Sequence, residues 1–445
     1  MKQFYEQIVT TCKRLLPEVQ AVRRDLHRHP QQGWLEYYAS AKVAERLSAL
    51  GYEVQTDEAV TAEPRIGQPS AEAQQQAVAR ALEAGANPMW VKKMQGGKTG
   101  VIGLLHCGEG PTVALRFDLD ALPIVESKEP TRLPVREGFV SEWEDSMHAC
   151  GHDGHTAIGL GVAEVLMAQK DRLHGTLKLI FQPAEEGVRG AVSVVRKGHL
   201  DDVDILLGAH IQNRGDFGGQ LLPNACGALA TTKLNVTLHG KAAHAGSAPE
   251  KGNNVMLGLA AAISGLYSIP RHSEGASRIN VGKVAAGTGR NVIADTATME
   301  IEVRGATTAI NTYMEAYARR VIEGACAMHG LTNDIEVCGT ALSLHSDEAL
   351  VAKISTLVET YLPAGTLSPT PRQVLVDSED FSYMMARVQA HGGKAAFMRL
   401  LTTVEDVPHG RAFDFDESVL LTGLEAFSLT AAAALTGQLA FDDEV

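Results

Sequence analysis

Met147-His148-Ala149-Cys150-Gly151-His152-Asp153-Gly154-His155 packs one thiol and three imidazoles into nine residues, two of them glycine. Soft and borderline donors at that density point to a transition-metal site. Read alone, the stretch also fits a histidine-rich loop around a buried structural cysteine. Its flanks place it in an α/β sheet. Strand-like Val101 to Leu105 and Val113 to Phe117 come before it, and a helix is expected over Thr156 to Ala168 after it.

Further on, Thr176 to Phe181 alternates like a strand and runs into Gln182-Pro183-Ala184-Glu185-Glu186-Gly187, which sets two adjacent carboxylates at a strand end. Val203 to Gly208 delivers Ala209-His210, and Pro408-His409-Gly410 offers another imidazole. Each candidate ligand falls where a strand stops and a loop starts, which is where open α/β sheets gather their active sites. Alone, His210 or His409 is more often a satisfied polar residue than a ligand; together with Cys150 and His152 they read as one site.

With helices over Glu36 to Leu50, stopped by Gly51, and Ala191 to Lys197, the βαβ rhythm implies a mixed, mostly parallel sheet with helices on both faces. Asp57 to Gly97 interrupts it with a helical run, Ala71 to Glu83, between Pro69-Ser70 and Gly85, and reads as a surface excursion. From Thr231 the texture changes. Strands at Thr232 to Leu238, Arg278 to Val284, Thr296 to Val303 and Asp334 to Val337 alternate with helices at Asn254 to Leu266 and Thr308 to Met328, which fits a ferredoxin-like α+β module. A strand at Gln373 to Val376 and a helix from Asp416 to Thr436 return to the first pattern. Since His409 must join Cys150 and His210, residues 228–341 are expected as an insertion into a metal-binding domain formed by residues 1–227 and 342–445.

The 445 residues exceed what one core usually supports, and 45% hydrophobic with 21% charged residues is an ordinary globular composition. A formal net charge of -13 without a basic patch argues against a nucleic-acid partner; Arg23-Arg24 is diluted by Asp25. Charges interrupt the helical spacing of Met1 to Leu26, so no signal-peptide core is expected there, and no stretch has the length of a membrane span. Six scattered cysteines suit a reducing cytoplasm, where Cys150 is free to bind metal.

Arg116-Phe117-Asp118-Leu119-Asp120-Ala121-Leu122-Pro123, the Cys-His stretch, Gln182 to Gly187, Ala209-His210, Ser378-Glu379-Asp380-Phe381 and His409 together resemble the amidohydrolase branch of the aminoacylase and carboxypeptidase G metallopeptidases. The matching motifs run from Arg23 to about Asp416. The insertion Asp57 to Gly97, with His272 to Gly282 and Thr288-Gly289-Arg290-Asn291-Val292, is similar to the members acting on p-aminobenzoyl-glutamate, a folate breakdown product. It is less like the shorter auxin-conjugate or hippurate amidohydrolases.

The resemblance implies a zinc-exopeptidase-like domain with two divalent ions, manganese first and zinc second, held by Cys150, His152, Glu186, His210 and His409. It implies Glu185 as general base and Asp120 as the carboxylate orienting His152, with packing or supporting roles for His148 and His155. In the inserted lid and dimerisation module, it implies that His244 crosses a dimer interface to polarise the scissile carbonyl while Asn291 and Arg304 hold the substrate's α-carboxylate. The family's Asn-Pro after the last histidine is Gly410-Arg411 here, which bears on the backbone path around His409.

The implied activity is metal-dependent hydrolysis of p-aminobenzoyl-glutamate to p-aminobenzoate and glutamate. Hippurate-type, indoleacetyl-amino-acid or other N-acyl-amino-acid hydrolysis and aminoacyl dipeptidase activity are the alternatives, and a non-catalytic subunit is the contrasting class. No Gly-x-Ser-x-Gly elbow supports a serine hydrolase. The expected partners are a small N-acyl amino acid and either a second copy, through the lid, or a related B subunit.

Overall fold

The computed structural model describes residues 1–213, 219–375, 377–439 and 441. It divides into two compact units, one from Met1–Cys226, His345–Val374 and Tyr383–Val445, the other from Gly227–Leu344 and Leu375–Ser382. Leu375–Ser382 thus joins the second unit, whereas the sequence pattern assigns it to the first. Of the strand expected at Gln373 to Val376, only Gln373–Val374 forms, paired with Ala225–Cys226; Val376 lies outside the described residues.

The first unit is built on a seven-stranded sheet. Its middle strands, Thr176–Gln182, Thr112–Asp118, Ile205–Asn213 and Lys394–Thr402, are parallel in that spatial order, and the pairings toward both margins are antiparallel. Burial is continuous from Val113 to Asp118 and from Leu177 to Gln182, so both faces of these strands are covered. Helices Lys2–Arg28, His152–Met167 and Val419–Leu435 pack on one another. Gly159 permits the close approach of the second to the sheet, since a Cβ there would stand 2.6 Å from Phe117 and 2.8 Å from Phe181.

The insertion is no surface excursion. Helix Ala71–Glu83 forms as the sequence indicates, with the Ser70 hydroxyl accepting from Ala73 N, but Ala77, Ala81, Trp90, Val91 and Met94 are buried in the main core. Arg65, buried against the Trp34 ring, donates to the carbonyls of Gly96 and Gly97 and so ties the two ends of the insertion together.

The second unit runs β-α-β-β-α-β. Its antiparallel sheet has the order Thr332–Ala341, Ala230–His239, Thr296–Gly305, Ser277–Ala286, with helices Val255–Tyr267 and Thr308–Met328 packed against it. Leu234, Val236, Leu238, Met299, Ile301 and Val303 fill the covered face, while Asn235 and Glu300 point outward, the alternation of a half-buried sheet. Among the described residues no helix is long and apolar enough to cross a membrane.

Candidate active site

Within the first unit, the C-terminal ends of the parallel strands deliver the site. Asp118 closes the strand Thr112–Asp118, and Glu185 and Glu186 follow Thr176–Gln182. Two expectations about local structure change. The helix begins at His152, not Thr156, because Gly151 takes φ 93 and turns the chain directly into it. His210 sits inside the strand Ile205–Asn213 and not at its end.

Cys150, His152 and His210 converge, their donor atoms lying within 4.8 Å of one another; so do Cys150, Glu186 and His409, and His152, Glu185 and Glu186. Cys150 Sγ is 3.4 Å from His210 Nε2, and His409 Nε2 is 3.5 Å from Glu186 Oε1. The departure at Gly410-Arg411 does not remove His409. It takes φ 65 and its N–H donates to Ala149 O at 2.8 Å, fixing it beside the Cys150 segment.

The imidazoles are set for ligation. His152 Nδ1–H donates to the Asp120 main-chain carbonyl at 2.8 Å and His210 Nδ1–H to that of Ile211 at 2.6 Å, so both tautomers leave the Nε2 lone pair facing the cluster. Among the described residues, His152 Nε2 and Glu186 Oε1 are buried without a hydrogen bond, the His409 imidazole of the same cluster standing beside Glu186 Oε1. A thiol, three imidazoles and adjacent carboxylates, with unpartnered acceptors turned inward, fit divalent cations. Burial, and next Glu186, push the Cys150 thiol well above its ordinary range, a shift that a bound cation reverses.

His155 is spent elsewhere. Its Nδ1–H donates to Asp118 Oδ1 at 2.6 Å and its Nε2 accepts from Ile211 N at 2.9 Å, leaving no lone pair for a metal. His148 is buried near His27, and burial first, then the charge of His27, lowers it to about 4. Asp120 reaches both His152 and the turn that bears the two glutamates. The imidazole of His152 is oriented by the Asp120 main chain, with the carboxylate 3.4 Å away, while that carboxylate accepts the N–H groups of Glu185 and Glu186 at 3.0 and 2.9 Å.

Arg23, diluted in the sequence by Asp25, has a role that the motifs do not indicate. It is fully buried, and its guanidinium meets Asp153, Asp414 and Glu417. It therefore ties the first helix to the segments that follow His152 and His409. The sequence signals are its place at the start of the matching motifs and a charge within an otherwise apolar helical stripe.

In the second unit His244 is exposed, and its Nδ1 accepts from Gly246 N and Ser247 N at 3.1 and 3.0 Å, so Nε2 carries the proton and is a donor. Asn291 is its neighbour. The ladder continues past the strands through Gly240 N to Asp295 O, Ile293 N to Ala243 O and Ala245 N to Asn291 O. Arg304 is at the other end, opposite Thr231, with its guanidinium on Glu302. From Thr296 to Arg304 the strand spans about 26 Å at ~3.3 Å per residue. The sequence expectation joins Asn291 to Arg304 and sets His244 apart; the fold joins Asn291 to His244.

The model of peptidase family M20/M25/M40 matches residues 114–433. The chain belongs to this family. It is 43% identical over 432 residues to an indole-3-acetyl-aspartic acid hydrolase of Enterobacter agglomerans, covering 94% of this chain and 96% of that one. It is 40% identical over 430 residues to the A-type subunit of p-aminobenzoyl-glutamate hydrolase from Escherichia coli K12, with the same coverage. Among solved structures, an aminobenzoyl-glutamate utilization protein from Klebsiella pneumoniae matches with TM-score 0.81 and 36% identity over 96% of this chain and 98% of its own. A dinuclear metal-binding M20 peptidase from Bacillus subtilis matches with TM-score 0.65 and 26% identity over 95% and 99%. The M20-type fold, a metal-dependent hydrolase of amide bonds and a donor set for divalent metal are thereby established for this chain.

Proposed function

We propose that this chain hydrolyses the amide bond of p-aminobenzoyl-glutamate to p-aminobenzoate and glutamate. One observation carries the substrate class: both relatives, matched over 96% of their length, are named for an aromatic acyl group on an acidic amino acid. Indole-3-acetyl-aspartate is the second reading, favoured by the 43% identity.

In this reading Cys150, His152, Glu186, His210 and His409 hold two divalent cations, manganese first and zinc second, with Cys150 common to two donor trios. A bound cation supplies Lewis acidity to water and to the scissile carbonyl. Glu185 takes the proton of the attacking water and returns it to the amide nitrogen as the C–N bond breaks, its main chain held by Asp120. The Nε2–H of His244 donates to the carbonyl oxygen, and Asn291 with Arg304 binds the α-carboxylate.

Since Asn291 and His244 travel together and Arg304 lies a strand away, one carboxylate meets both only if two chains contribute. A homodimer through the second unit supplies them. Exposed Met256, Leu257 and Tyr267 on one helix and Val284 on the outer strand support that surface. A related B subunit is the other partner in view. Six free thiols suit a cytoplasmic location.

The test is turnover of p-aminobenzoyl-glutamate, indole-3-acetyl-aspartate and hippurate by the chain alone, loaded with manganese or zinc. The proposal expects the first to be cleaved fastest and Glu185→Gln to lose at least about a hundredfold with its metal retained. Preference for indoleacetyl-aspartate selects the second reading, and loss of metal in Glu185→Gln exchanges the roles of Glu185 and Glu186.

A further inference from the structure

The turn that carries the base is held by two carboxylates, only one of which the motifs point to. Three consecutive amides meet them. Ala184 N–H donates to Glu36 Oε1 at 2.8 Å, Glu185 N–H to Asp120 Oδ1 and Glu186 N–H to Asp120 Oδ2. Ala184 takes φ 52, a left-handed conformation that costs a non-glycine residue on the order of 1 kcal/mol and persists only where its surroundings impose it.

Glu36 has no solvent exposure and stands at the start of the helix Tyr37–Leu50, where its carboxylate makes no cap to the helix and is left for other partners. Its second oxygen accepts the Thr99 hydroxyl at 2.5 Å, and Thr99 is itself fully buried where the insertion rejoins the strand Val101–His106. Burial, then repulsion from Asp120, push Glu36 up to about 7, opposed by the hydrogen bonds it accepts, that of the Thr99 hydroxyl first. The same loop reaches both sides of the turn. Gln31 O accepts from Ala121 N at 2.8 Å beside Asp120, and a Cβ on Gly33 would stand 3.0 Å from Ala184 Cα.

The insertion closes the frame from its other end. Arg189 donates through Nε to Glu186 O at 2.8 Å and through Nη1 to Gly67 O at 2.9 Å, while the Tyr37 hydroxyl accepts from Gly97 N at 2.9 Å. The turn bearing Glu185 is therefore tied through Arg189 to Gly67 of the insertion, while the insertion's far end at Gly97 is tied to Tyr37, the residue after Glu36.

We infer that Glu36 is a positioning residue for Glu185: it holds Ala184 in its left-handed conformation, and the Thr99 hydroxyl at the end of the insertion holds Glu36. Glu36 touches neither substrate nor metal in this assignment. It aims the base, and a displacement of about 1 Å at a reacting group costs up to about a hundredfold in rate. The inference rests on reading Glu185 as the base.

The experiment measures kcat, KM and bound metal for Glu36→Ala, Glu36→Gln, Thr99→Val and Glu185→Gln in the metal-loaded full chain. Glu36→Ala should lower kcat about tenfold to a hundredfold, with KM within about twofold and metal content unchanged. Glu36→Gln, whose amide oxygen still accepts from Ala184 N–H, should keep most of the turnover. Thr99→Val keeps the volume and removes the hydroxyl; it should show a smaller loss, which keeps the test open if Glu36→Ala does not fold.

Glycine adopts positive φ freely, so in an Ala184→Gly background the loss from Glu36→Ala should shrink. Undiminished kcat in folded, loaded Glu36→Ala, or a loss matched by lost metal, would overturn the inference. So would an undiminished loss in the Ala184→Gly background. Full activity in Glu185→Gln would instead overturn the assignment of the base, whatever Glu36→Ala does.

Discussion

Asp120 accepts the main-chain N–H of Glu186 at 2.9 Å through one carboxylate oxygen while the other takes that of Glu185 at 3.0 Å. A single buried side chain thus fixes the backbone of both the proposed base and the proposed ligand. Asparagine offers one acceptor where two are needed and turns an NH2 toward an amide N–H. Asp120→Asn should therefore weaken metal binding about tenfold to a hundredfold, the scale for partners that orient ligands. Metal titration of the folded variant checks it; wild-type affinity would leave the Asp120 contacts without consequence for the site.

Cys150 is expected to ligate as thiolate. Chelator-stripped protein should be alkylated at Cys150, at a rate that climbs with pH because burial and Glu186 hold its thiol high, and metal-loaded protein should be protected at least about tenfold. The partly exposed Cys107 and Cys338 are internal references, labelled equally in both states. Peptide mapping reads the outcome, and equal labelling of Cys150 in both states would remove it from the ligand set.

Much of this site is legible because its chemistry is local in sequence. Cys150, His152, Glu185 and Glu186 lie in two short stretches, and turn residues mark where strands end. The use of each donor is not local. His155 differs from His152 only in what the fold sets beside it, Asp118 on one nitrogen and Ile211 N–H on the other. The inner strand Lys394–Thr402, next to one edge of the sheet, escapes because a strand buried on both faces has no alternation to read, only the apolar run Ala395-Ala396-Phe397-Met398. The docking of the insertion depends on Arg65, whose partners Gly96 and Gly97 lie at its far end. The separation of Arg304 from Asn291 needs the strand register, which spacing does not supply.

Glu425 yields a prediction of stability against pH. It sits 3% exposed on the helix Val419–Leu435 with Oε1 making no hydrogen bond among the described residues, and burial, opposed by Lys13, pushes it from 4.5 up to about 7. The folded state therefore binds this proton more tightly than the unfolded chain. Its contribution to stability is complete below about pH 4.5 and is lost as pH rises through about 7. Glu425→Gln removes that dependence. Its Tm should match wild type near pH 5 and exceed it by a few degrees at pH 8, since the loss it avoids is of the order of 1–3 kcal/mol. An equal shift at both pH values would mean packing, not ionisation, is responsible.

The division of the second unit makes the last prediction asymmetric. If His244 and Asn291 come from a partner copy, then Arg304, a strand away from them, belongs to the chain whose metal site it serves. Mixing Glu185→Gln with His244→Ala chains should then restore activity, because one site of each mixed dimer combines an intact Glu185 with an intact His244. With random exchange, half the dimers are mixed and half their sites complete, so about a quarter of wild-type turnover returns. Mixing Glu185→Gln with Arg304→Ala should restore nothing, since each chain then carries a defect in its own site. Recovery in both mixtures would place Arg304 with His244 despite their separation along the sheet. Recovery in neither, with exchange between chains demonstrated independently, would mean that His244 serves its own chain or that the working partner is a different protein.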